Sequence, residues 1–147
     1  MVIDEVREHR SFDAWAASSH TISAVLDAQV VCITNQGDDE AVVLDSLRNP
    51  ALEFIERGDG DPRLGLFEWS APDGSRPDDV VALAQANPNA GHRVDMADLL
   101  AAGRRAQASV IAQELTLYKT EVLCMRVPLL NPAVDPSRWS AGAYQPG

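Results

Sequence analysis

Cysteine pairs with a chemical signature are missing from this sequence. Its two cysteines, Cys32 and Cys124, stand far apart in apolar surroundings. They lack both C-x-x-C spacing and a disulfide framework, so both are expected as reduced, buried thiols. Long apolar runs are missing too, since none approaches the roughly 18–20 residues of a membrane span. The chain carries Asp4 and Glu5 where a secretory signal would be basic and then apolar. The expectation is a soluble, cytoplasmic protein without membrane contact. Bases are scarce: 12 Lys and Arg stand against 22 Asp and Glu, for a formal net charge of −10 and a pI near 4.5. Phosphate binding depends on cations displacing counterions, which argues against a large nucleic-acid footprint on this segment. Any DNA contact must be local or made by other parts of an assembly. His9, His20 and His92 have neither paired spacing nor a neighbouring cysteine set, which argues against a metal cluster. Finally, no G-x-x-x-x-G-K-[ST] loop, the cradle for nucleotide phosphates, occurs in these residues.

What is present is enough apolar content, 46% of 147 residues, to bury a core. Met1 to Ile3 reads as the end of a buried strand. Ser11-Phe12-Asp13 opens a short helix, with Asp13 as its N-cap. Ala28 to Thr34, AQVVCIT, is a continuous β-branched run of the kind found in parallel strands covered on both faces. It ends in Asn35-Gln36-Gly37-Asp38-Asp39, a turn cluster expected to be solvated and to cap the next helix. That helix carries Leu44, Leu47, Ala51, Phe54 and Ile55 on one face, and Asn49-Pro50 is expected to break or kink it. Leu64 to Ser70, LGLFEWS, reads as a third strand, with Glu68 and Trp69 in structural roles. Asp78-Asp79 are expected to cap a short helix that ends before Asn87-Pro88, and Asp95 to cap another. A longer helix is expected after Gly103, bearing the stripe Ile111, Leu115, Tyr118, Val122 and Met125. Beyond Pro128 the chain is rich in Pro, Ser and Gly and reads as linker or tail. Strands come early and helices late, the pattern of an α/β part followed by a helical part.

The candidate chemistry lies in Asp4 and Glu5. In an ATP-hydrolysing enzyme, a strand ending in Asp-Glu supplies one carboxylate for Mg²⁺ and a second to orient the attacking water. Thr34 and Asn35 close the AQVVCIT strand. In parallel α/β sheets ligands bind beyond the carboxyl ends of the strands, where both pairs are expected.

Taken together, several segments resemble the large terminase subunit of tailed bacteriophages of actinobacterial hosts, the ATP-driven motor that packages viral DNA and cuts it with a nuclease domain. They are MVIDEVREHRSFDAW, VVCITNQGDDEAVVLDSLR, DPRLGLFEWSAPDG, the DD…AQANPNAG stretch and LYKTEVLCMRV, in the family's order and at about its spacing. The resemblance implies an α/β fold, a partial P-loop NTPase whose parallel sheet holds the Walker B and coupling-motif strands, followed by a helical segment. It divides the chain into the C-terminal part of the ATPase core (1–70), a helical part leading toward a nuclease domain (71–127), and a linker or tail (128–147). Asp4 then falls on the acid that organises Mg²⁺ through water, Glu5 on the acid that polarises the hydrolytic water, and Thr34 and Asn35 on the coupling motif that senses the γ-phosphate.

By the same resemblance the intact motor uses Mg²⁺ and ATP. It works in the bacterial cytoplasm with double-stranded DNA, the portal protein, the small terminase subunit and other large subunits. The phosphate loop and the nuclease acids are not in these residues. The expectation is therefore a fragment that binds nucleotide weakly and is inactive alone, or a prophage remnant. The rival reading is a non-enzymatic acidic interaction module that binds a partner through the Ile111–Met125 stripe.

Overall fold

The computed structural model describes residues 1–22 and 25–128. Strand β1 (Val2–Asp4) leads through a 3₁₀ turn at Val6–Glu8 to helix α1 (Phe12–Ile22). Strand β2 (Val31–Ile33) follows, then helices α2 (Val42–Arg57), α3 (Val80–Ala86), α4 (Met96–Ala108) and α5 (Ala112–Glu121). The two strands pair in parallel, with Val2 opposite Val31, Ile3 opposite Cys32 and Asp4 opposite Ile33. The result is a mixed helix and sheet fold, as the sequence pattern predicts.

The strands differ from expectation in cover. Val2, Val31 and Ile33 are 65%, 40% and 55% exposed, and Cys32 is exposed rather than buried. Parallel sheets are normally covered on both faces, and a two-stranded sheet is marginal without further layers. The main core lies instead among the helices. Leu83 and Leu123 are fully buried there, packed with Tyr118, Met125, Ala82 and Ala106. Val6, Ala41, Val43, Ala51 and Val127 are buried as well, and the 3₁₀ turn packs against α2.

The local signals fared unevenly. Asp79 and Asp95 cap α3 and α4, each accepting backbone N–H bonds through its side chain. Asp13 lies inside the first turn of α1 rather than at its cap. Helix α2 runs through Pro50 without a break, because Val43 and Ala51 bury its face on both sides of the proline. Gly58 ends it in the left-handed region, with φ 73°, donating its N–H to Phe54. Leu64–Ser70 forms no strand: it is chain without regular secondary structure, with Phe67 85% and Trp69 55% exposed.

The helix expected after Gly103 is two helices. Gly103 lies within α4, where an added Cβ would sit 2.1 Å from the Pro77 carbonyl oxygen. The break comes at Ser109, whose backbone is extended and whose hydroxyl accepts the Ile111 N–H. The Ile111–Met125 stripe packs mostly inward, with Tyr118 and Met125 buried and Leu115 and Val122 against the core. It therefore does not form the docking face of the rival reading. Among the described residues no helix is long and apolar enough to cross a membrane. The expected tail lies, from residue 129 onward, outside the described residues.

Candidate functional site

The ladder brings the two predicted residue pairs together. Asp4 ends β1 opposite Ile33, and Thr34 follows immediately on the neighbouring strand. Both pairs therefore sit at the same, carboxyl, end of a parallel sheet. The Arg7 N–H donates to the Thr34 hydroxyl oxygen at 3.2 Å, which ties the turn after β1 to the end of β2.

Asp4 is exposed, and one of its oxygens accepts the Glu5 N–H at 3.0 Å. Glu5 has φ 52° and ψ 47°. This left-handed conformation is uncommon for a residue with a Cβ and costs roughly 1–2 kcal/mol. It turns the chain sharply off the strand and aims the Glu5 side chain toward Arg7, whose Nε lies 3.0 Å from Glu5 Oε2.

Arg7 is the hub that sequence reading missed. Its side chain is only 11% exposed, with Nε also 3.3 Å from Glu8 and Nη2 2.7 Å from Glu121. Burial works against its charge, but the hydrogen bond to Glu121 and the fields of Glu121, Glu5 and Glu8 outweigh that and raise its pKa. Nε approaches the carboxylates without a directed hydrogen bond, and Nη1 is buried without a hydrogen-bond partner. The guanidinium is held there mainly by ion pairing. Gly37 makes room for it: a Cβ at that position would come within 3.3 Å of the Arg7 Cβ and 2.4 Å of the Ala41 Cβ.

Asn35 completes the cluster. Its Nδ2 donates to Glu121 at 2.8 Å, and the Cys124 thiol faces its Oδ1 at 3.8 Å. Cys124 is half-buried with φ 48°. Burial pushes its thiol pKa up, only partly opposed by a backbone hydrogen bond from Gln36, so it is a poor nucleophile. No short spacing links Asn35 to Glu121, and nothing local marks Arg7 as their common partner.

Other acids proved to be structural. Asp38, expected in a solvated turn, is 1% exposed and pairs with Arg10. The cap position of α2 is Ala41, with no side-chain cap. Glu68 accepts two hydrogen bonds from Arg48 at 2.7 and 2.9 Å. Arg126 pairs with Asp39 and Asp45, and Arg104 lies 3.8 Å from Asp78. These cations neutralise neighbouring acids. Among the described residues no group of three or more His, Cys, Asp or Glu is placed to hold a metal ion by itself.

A solved structure bears on this arrangement. The chain superposes on the crystal structure of the HK97 bacteriophage large terminase with a TM-score of 0.67 over 85% of its own residues. The chain has the fold of part of a phage large terminase. It is 19% identical to that terminase and spans 25% of its length, so the likeness is one of fold. The terminase resemblance drawn from the five sequence blocks is thus met in the backbone. No family model matches the chain, and no curated protein matches it.

Proposed function

We propose that residues 1–147 are a segment of a terminase-type DNA-packaging ATPase and supply one wall of its nucleotide site. Residues 1–70 are then the C-terminal part of the ATPase core, and 71–127 the helical part that follows. The observation that carries this reading is the shared end of the ladder, with Asp4-Glu5 and Thr34-Asn35 one strand apart. The terminase-like fold supports it.

Asp4 fits a hydrated Mg²⁺. It is exposed, it engages one oxygen locally, and a magnesium–nucleotide site needs only one or two protein carboxylates. When bound through Asp4, the ion would supply positive charge against the charge that develops on the phosphates. Glu5 orients the attacking water, and Arg7 holds Glu5 at the rim until that water arrives. Thr34 and Asn35 report the state of the γ-phosphate. The phosphate-binding loop has to come from outside these residues, which contain no such motif. Without it nucleotide binding is weak and turnover negligible.

On this reading the assembly works in the bacterial cytoplasm. It engages double-stranded DNA, the portal protein, the small terminase subunit and further large subunits. DNA contact falls mainly on other parts, given the charge of −10 here. The test is ATP hydrolysis by the motor that contains residues 1–147. Glu5→Gln is expected to lower turnover by about 10²–10⁴ with nucleotide affinity retained, while Asp4→Asn raises the Mg²⁺ concentration that turnover requires. Turnover indifferent to both changes would overturn the proposal.

A further inference from the structure

Glu121, the last residue of α5, divides its two carboxylate oxygens between the two halves of the acid edge. Oε1 lies 2.7 Å from Nη2 of Arg7, and Oε2 accepts at 2.8 Å from Nδ2 of Asn35. Asn35 is 86 residues away in sequence. Arg7 in turn lies against Glu5 and donates its backbone N–H to Thr34. An acid is unfavourable at a helix C-terminus, where the carbonyl ends of the helix dipole converge. The helix gains nothing from Glu121, so its place there is explained by the two groups it holds. The turn after α5 also closes on Asn35, with the Cys124 thiol facing the other end of its amide.

We infer that Glu121 is a positioning residue of this edge. It keeps Arg7, and through Arg7 the Glu5 carboxylate, aligned with Asn35, and so makes α5 the receiver of any rearrangement at the strand ends. The bridge is a matter of geometry; its role at a nucleotide rests on the function proposed above. A displacement of Asn35 pulls on the carboxylate that fixes Arg7, so the two halves of the edge cannot respond independently.

Amide hydrogen exchange on the whole chain tests this. Glu121→Ala is expected to raise exchange about tenfold at residues 5–8 and 34–37, while α3 and α4 keep their protection. Glu121→Gln retains an oxygen for Asn35 but no charge for Arg7. Exchange at 34–37 then returns to the wild-type rate while 5–8 stays raised, a split that simple stabilisation of α5 does not produce. Unchanged exchange at 5–8 in the Gln variant, or a rise spread evenly along the chain, overturns the inference. Should the Ala variant fail to fold, the Gln comparison decides alone. A slowly hydrolysed ATP analogue with Mg²⁺, added to the assembled ATPase, separates the two proposals. No new protection at 2–8 and 31–37 defeats the nucleotide reading, while the bridge stands on the exchange data. Protection that reaches α5 equally in wild type and Glu121→Gln defeats the bridge.

Discussion

Arg10 places its guanidinium on both oxygens of Asp38, 28 residues away, and Asp38 is 1% exposed. The same carboxylate accepts the Glu40 N–H at 3.1 Å, and its residue bridges to Val127. One buried acid thus joins the start of the chain, the turn after β2 and the segment that follows α5. Arg10→Ala leaves that carboxylate buried without its cation and should cost about 1–3 kcal/mol. Asp38→Asn, which removes the charge but keeps acceptor oxygen, should cost less. Urea denaturation, comparing midpoints at constant slope, checks the order.

Gly103→Ala should destabilise despite alanine's helix propensity, which exceeds that of glycine by about 1 kcal/mol. The new methyl would lie 2.1 Å from the Pro77 carbonyl oxygen and 3.1 Å from the Tyr118 hydroxyl. That hydroxyl donates to the Leu99 carbonyl at 2.7 Å, so α4 cannot yield without disturbing α5. A net loss of roughly 1–3 kcal/mol is expected, and a thermal midpoint at or above wild type would contradict the packing described.

Acid should weaken the fold through Glu68. The hydrogen bond from Arg48 holds the Glu68 carboxyl below the usual carboxylate range, against the opposing effect of burial. A pKa lower in the folded state than in the unfolded chain adds stability above the unfolded value, near 4.3. That stability is lost as pH falls through the lower, folded value. Glu68→Gln should therefore flatten the fall in stability as pH drops below the unfolded value. Chemical denaturation at stepped pH reads this directly.

The bare strands should make the isolated chain prone to association. Val31 and Ile33 expose apolar surface on a short, uncovered sheet, the condition in which strand edges recruit other chains. Val31→Lys should lower light scattering on concentration without lowering the thermal midpoint. A sharp two-state melt of a wild-type monomer with no concentration dependence would count against this.

The features legible in the sequence are those decided by neighbours. Asp79 and Asp95 announce their helices because a side chain two residues back satisfies the first free N–H groups. The end of β1 at Asp4 and the turn after β2 follow from where apolar runs stop. What the sequence hides is set by distant packing. Pro50 is tolerated because α2 is anchored on both sides of it, and the spacing of the Ile111 stripe runs on past the end of α5 at Glu121. LGLFEWS has strand composition yet finds no partner strand among the described residues. Arg7, the centre of the candidate site, pairs with an acid 114 positions away, and no local pattern could foretell it.

The three-rung ladder has its alignment set at its own ends: Val31 donates to the Met1 carbonyl, and Arg7 to the Thr34 hydroxyl. Neither anchor draws on a residue of α1. Lengthening or trimming it should leave Asp4 opposite Ile33, so that stretch is where natural variants can differ in length, and where a fluorescent reporter could be spliced, without moving the carboxylates.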